Sequence, residues 1–312
     1  MARSRLCDRS FRRRRERLPH LFPERLILIN FCHISPTAYL NKYTKSNGAH
    51  LLLAHLVEED PEYRDYYANL DDGKYKIMDN SAFEMFKLGR PMYESSKLIE
   101  MGKMCNANCI VLSDYPKQPS RVTVEAAKRL IPKFKTEGFD TFFVPQSELG
   151  DIVDLVNAIE WALNTPEIDL IGMSILAAPI ACGVDETTFE GGKRSDAYKM
   201  QRYLSRLSVF RELERRKLLT PQADKRFHCL GMVDGPKEIN LLREYDRYIY
   251  SWDSSAAVWA GINGIAFDAS PTGLQNGKFE KEVDFAYQGE HNPGLVYENI
   301  HYIDCMATGS WR

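Results

Sequence analysis

Short apolar runs rich in β-branched and aromatic residues alternate along this chain with longer segments whose apolar positions recur at helical spacing. The runs at 26–32 (LILINFC), 75–80 (YKIMDN), 109–114 (CIVLSD), 141–146 (TFFVPQ), 168–174 (IDLIGMS), 226–231 (RFHCLG) and 248–253 (YIYSWD) read as strands, with NGIAFD at 263–268 as the candidate for an eighth. Between them, Val124, Ala127, Leu130, Ile131 and Phe134 share one face of a helix over 122–136, and Ile152, Leu155, Val156, Ile159 and Leu163 share a face over 151–163. Strands that alternate with helices in this way predict parallel βα units, and the count points to an α/β fold of the TIM-type (β/α)8 barrel class. The glycine-containing stretch 177–205 is too long for an ordinary connection and is expected to be a βα insertion.

Composition narrows the class. A chain of 312 residues, 44% apolar and 11% aromatic, can bury one sizeable core, so global disorder is excluded. Its seven cysteines stand singly, without a CxC or CxxC pair, which suggests neither a disulfide framework nor a zinc site and makes a reducing, cytoplasmic compartment the expectation. No apolar run approaches the roughly 20 residues of a membrane helix, so a soluble protein is expected.

Charge is unevenly spread. The net charge is −2, yet residues 1–25 carry nine Arg against three acids, and no continuous apolar segment of a secretory leader follows them. They read as a flexible basic arm able to lie on phosphates, or as a solvated extension without a role, preceding a single barrel domain over 26–312. A second basic stretch, Lys193–Lys217, has nine Lys or Arg against three acids and reads as helix, in part a solvated face.

Almost every expected strand ends on a polar residue: Asp79 and Asn80, Asp114, Gln146, Ser174, His228 with Gly231, and Asp253. In a parallel barrel those ends share one mouth, where the reactions of this fold occur. Asp79 and Asp253 form a carboxylate pair suited to displacement at an anomeric carbon, one as nucleophile and one moving a proton. Asp114 and Gln146 supply the acceptors and donor that suit the edge of a planar heterocycle. Each has a structural counterpart: Asp253 as N-cap of a helix opened by Ser254, Ser255 and Ala256, Asp79 and Asp114 as turn residues. His228, Trp252 and Trp259 are expected to serve as lining or packing groups, with base stacking as the alternative for the two tryptophans, and dispersed His residues argue against a metal hydrolase.

The ordered blocks IMDNSAFE (77–84), VLSDYP (111–116), VPQS (144–147), IGMSI (171–175), HCLGM (228–232) and SWDSSAAVW (251–259) resemble the tRNA-guanine transglycosylase superfamily. The pattern is closest to its relatives that insert 7-deazaguanines into DNA in phages and bacterial modification systems. The resemblance implies Asp253 as nucleophile and Asp79 as proton-transfer group, with Ser81 and Phe83 beside it. It further implies Asp114 and Gln146 as readers of the base, Gly172 as presenter of backbone groups to it, and Met232 as packing against its plane. Asn80 departs from the pattern, standing where a small residue is usual. The tRNA enzymes also carry a CxCxxC plus His zinc site near the C-terminus, where this chain has only Cys305. The implied partners are therefore DNA, rather than tRNA, and a free 7-cyano or 7-aminomethyl deazaguanine base, with no metal or other cofactor and no membrane. The alternatives are exchange on tRNA, hydrolysis by a nucleobase glycosylase that uses water, and a non-enzymatic nucleic-acid-binding barrel.

Overall fold

A computed structural model describes residues 28–185, 195–220, 225–232, 234–274 and 282–310. Eight strands among them, β1 (Asn30–His33), β2 (Ala49–Leu53), β3 (Tyr75–Asp79), β4 (Cys109–Val111), β5 (Asp140–Phe143), β6 (Leu170–Ser174), β7 (Arg226–Leu230) and β8 (Ile249–Ser254), form one sheet in the order β1-β8-β7-β6-β5-β4-β3-β2. Every paired neighbour is parallel. The sheet curls into a nearly closed (β/α)8 barrel of the TIM type, as the alternation of strand and helix patterns predicts.

The seam between β1 and β2 is drawn together by a side chain. Asn47 Oδ1 accepts from the His33 amide at 2.9 Å while its Nδ2 donates to the His33 carbonyl at 3.1 Å, and the Gly48 amide donates to Phe31 O at 2.9 Å. Gly48 has to be glycine here, since a Cβ would sit 2.8 Å from Asn30 Cα.

Helices follow the strands. On the first half of the barrel lie α1 (Leu40–Tyr43), α2 (Ala54–Glu59), α3 (Pro61–Asn69), α4 (Ala82–Lys87), α5 (Ser95–Met104), α6 (Ser120–Thr136) and α7 (Ile152–Leu163). On the second half lie α8 (Ala177–Ala181), α9 (Asp196–Tyr203), α10 (Ser205–Arg215), α11 (Glu238–Leu241), α12 (Ala256–Ile262) and α13 (Pro293–Ala307). The apolar faces expected on α6 and α7 are the buried ones: Ala127, Ile131 and Phe134 on α6, and Leu155, Val156 and Ile159 on α7, join the core.

Two expectations change. The eighth strand is Ala49–Leu53, not NGIAFD at 263–268. The latter follows α12, where Gly264 adopts φ +76 and the Ile265 amide returns to Ala260 O at 2.9 Å, so Asn263-Gly264 ends a helix rather than starting a strand. The 177–205 insertion contains α8 and α9 among its described residues, while the basic arm at 1–25 lies outside the described residues. No described helix is long and apolar enough to cross a membrane.

Candidate active site

Because all eight strands run the same way, their C-terminal ends meet at one mouth, and four expected site residues arrive there. Asp79 is the last residue of β3 and Asp253 the penultimate residue of β8. Asp114 and Gln146 sit in the loops that follow β4 and β5. Asn80 knits this mouth together. Its Nδ2 donates to Leu112 O at 2.7 Å and to Asp114 Oδ1 at 2.8 Å, and its Oδ1 accepts from the Ala82 amide at 2.9 Å. Asn80 thus orients the carboxylate just beyond the next strand.

Gln146 Nε2 donates to the other oxygen of Asp114 at 2.5 Å. Asn80, Asp114 and Gln146 are all buried, and burial pushes the Asp114 carboxyl up to about 6 even though both amides favour its ionised form. Two buried atoms of this loop, Gln146 Oε1 and Ser147 Oγ, lack a hydrogen-bond partner among the described residues. A polar group sealed in this way is costly unless a ligand satisfies it.

Asp253 is held from one side. A β-bulge between β7 and β8 changes the register from Phe227 opposite Ile249 to His228 opposite Ser251, which leaves Tyr250 as the extra residue. Ser251 and Asp253 then project to the same face and both reach the buried His228: Nδ1 pairs with Ser251 Oγ at 2.6 Å and Nε2 with Asp253 Oδ1 at 2.9 Å. The Gly231 amide donates to the same Oδ1 at 3.1 Å, and nothing among the described residues donates to Oδ2. The helix-cap alternative for Asp253 is not realised, since Ser254 Oγ accepts from the Ala256 amide at the entry to α12.

Asp79 is held in a mirror fashion. Its Oδ2 accepts from the Ser81 amide at 2.9 Å, a turn contact, while Oδ1 has no partner among the described residues. Burial raises its pKa well above the ordinary carboxylate range, reinforced by the negative charges of Glu84, Asp114 and Asp253. The three aspartates thus lie at the same mouth of the barrel. Glu84, on the first turn of α4, is a fourth carboxyl there; burial and the Asp253 charge raise it as well. It was not singled out from the sequence, although its place in IMDNSAFE, one turn beyond Asp79, was a visible signal.

The remaining expected residues are placed as follows. Ser81 Oγ is engaged by His55, Phe83 is exposed on the first turn of α4, and Met232 is buried after Gly231, which takes φ +69. Gly172 lies mid-strand in β6, where a Cβ would come within 2.7 Å of Val144 Cγ2 and 2.8 Å of Phe142 Cε2. Gly172→Ala is therefore expected to overpack the barrel interior and cost about 1–3 kcal/mol in a urea melt. An unchanged midpoint would show that Val144 and Phe142 can yield.

The basic stretch at 193–217 holds a feature that its charge pattern hid. Arg202 and Arg206 are buried, paired with Asp234 at 3.1 Å and Glu238 at 3.2 Å. Arg206 also donates to Leu230 O and, at 2.9 Å, to Gly231 O, which Trp252 Nε1 reaches at 2.8 Å from the opposite face of β8. The peptide carrying the Asp253 donor is thus braced from behind. Trp252 and Trp259 are both packing groups. No protein-family model matches the chain, and no curated protein matches it significantly.

Proposed function

We propose that this chain is a base-exchange transglycosylase that replaces a guanine in DNA with a 7-deazaguanine through a covalent aspartyl-glycosyl intermediate. One observation carries the reading: two carboxylates at a single barrel mouth, Asp79 and Asp253, each have one oxygen tied by protein donors and the other unengaged. The donors on Asp253 Oδ1 aim Oδ2 at an electrophile, and the raised pKa of Asp79 suits a proton donor. Convergence of these groups favours an enzyme over a binding platform, and the orphaned Gln146 Oε1 beside Asp114 favours a planar polar ligand over a plain sugar.

In the first half-reaction an Asp253 oxygen bonds to C1′ as the C1′–N9 bond breaks. The bonding pair leaves with guanine, which takes its proton from Asp79. In the second, Asp79 accepts the proton of the entering deazaguanine, whose ring nitrogen bonds to C1′ and releases Asp253. Asp114 accepts hydrogen bonds from the base edge while Asn80 and Gln146 hold it in plane. The target nucleotide must be unstacked or single-stranded to reach the mouth.

The deciding experiment is nucleoside mass spectrometry of DNA and tRNA from cells that express the protein and are supplied with the deazaguanine. A modified nucleoside in DNA, lost with Asp253→Asn, is expected. Modification of tRNA alone would overturn the DNA assignment, and base loss without replacement would identify a glycosylase.

The reading carries a pH dependence. Asp114 reads the base as a carboxylate, so protonation near its raised pKa of about 6 removes an acceptor. Affinity for the free base should be full above that pH and fall by about tenfold per unit below it. Asp114→Asn should bind weakly with a flat profile, and an unchanged profile in that variant would exclude Asp114 as the titrating reader.

A further inference from the structure

We propose that His55 and Ser81 form a latch that holds the turn after Asp79 in a left-handed conformation and so aims the Asp79 carboxyl, which makes His55 a positioning residue. The inference rests on the reading of Asp79 as the proton-transfer group. Ser81 has φ 53 and ψ 34, a region that residues with a Cβ occupy only against steric resistance. Its hydroxyl opposes that resistance with two bonds to one residue: Oγ accepts from the His55 backbone amide at 3.2 Å and pairs with His55 Nδ1 at 2.9 Å. Burial disfavours the charged imidazole, with Glu59 and Arg90 acting in opposite directions on it. In the neutral ring Nδ1 accepts the hydroxyl proton while Oγ accepts the amide proton, so both capacities of the hydroxyl are used.

The latch joins the start of α2 to the start of α4, the two turns that follow neighbouring strands β2 and β3. Its consequence lies in the backbone. Within this turn the Ser81 amide donates to Asp79 Oδ2 at 2.9 Å, which leaves Oδ1 as the unengaged oxygen. The same turn lets Asn80 Oδ1 receive the Ala82 amide while Asn80 Nδ2 holds Asp114. Release of Ser81 would therefore disturb the orientation of the proton-transfer acid and of the base reader together. The charged groups that act on Asp79 itself are Glu84, Asp114 and Asp253, none of which the latch residues replace.

Glycine adopts the left-handed region without resistance, and this supplies a sharp test. In the full-length protein, Ser81→Ala, His55→Leu, Ser81→Gly and the double variant His55→Leu with Ser81→Gly are compared by two readouts. One is exchange of labelled guanine into a DNA oligonucleotide. The other is titration of the Asp79 carboxyl followed by carbon NMR, which needs no activity. Ser81→Ala is expected to lower kcat by about 10- to 100-fold with little change in KM. It should also raise the Asp79 titration midpoint, because a donor to the ionised form is lost. His55→Leu should do the same to a smaller extent, since its backbone amide still reaches Oγ. Ser81→Gly should recover most of both effects, alone and on the His55→Leu background. Glycine variants as impaired as Ser81→Ala, or an Asp79 titration that none of the variants moves, would overturn the latch. A wild-type chain without exchange would overturn the reading of Asp79 as a proton-transfer group, while the NMR titration and its rescue by glycine would still decide the latch.

Discussion

Asp253→Asn is expected to reduce base exchange by about a thousandfold or more, the scale on which loss of an acting nucleophile is felt. Asn preserves the shape of the side chain and keeps an oxygen to accept from His228 Nε2 and the Gly231 amide, so the fold and DNA binding should survive. What it removes is the anionic oxygen proposed to form the bond to C1′. With guanine-containing DNA and no entering base, the wild-type chain should accumulate a DNA-linked species visible on a denaturing gel, and Asp253→Asn should give none. Asp79→Asn should differ, slowing exchange by about 100- to 10,000-fold through loss of proton transfer while some adduct still forms. Exchange by Asp253→Asn at near the wild-type rate would remove Asp253 as nucleophile and the mechanism with it.

The largest expected effect on stability lies behind the site. Arg206 and Glu238 are sealed from solvent, and Arg206→Ala takes the guanidinium away from a buried carboxylate, which should cost about 3–5 kcal/mol in chemical denaturation. Replacing both partners with apolar side chains of similar volume, Arg206→Met with Glu238→Leu, should recover much of that loss. The rescue should be incomplete for exchange, because Arg206 also donates to Leu230 O and Gly231 O and so steadies the peptide that holds Asp253. A single variant that melts like wild type would mean that the remaining surroundings of Glu238 hold its charge or that it takes up a proton.

The pattern of alternating strands and amphipathic helices was enough to read seven of the eight strands and the barrel class, because each half-buried element leaves a period in the sequence. It failed at β2. AHLLL runs straight into AHLVEE with no turn residue between them, so nothing local separates a buried strand from the buried helix that follows it. NGIAFD misled for the converse reason, since an apolar run after Asn-Gly resembles a strand until the left-handed glycine is seen to close α12.

The site divides in the same way. Asp79, Asp114, Gln146 and Asp253 were legible because each sits at or just beyond a strand end, and a parallel barrel brings such positions to one mouth whatever the loops do. His55, Glu84, Arg202 and Arg206 were not legible as partners. His55 meets Ser81 across 26 positions, and Arg206 meets Glu238 across 32. The charge pattern of 193–217 reads equally well as a wet helix face. By itself, then, the sequence determined the period of each element, the barrel class and the chemistry available at the strand ends, because those are properties of local order. Only the tertiary structure decided which oxygen of Asp79 and of Asp253 is tied and which is unengaged, which arginines are buried, and what Asn80 holds. Those depend on side chains that meet only when the barrel curls and its βα turns are pressed together, and no local period encodes that contact.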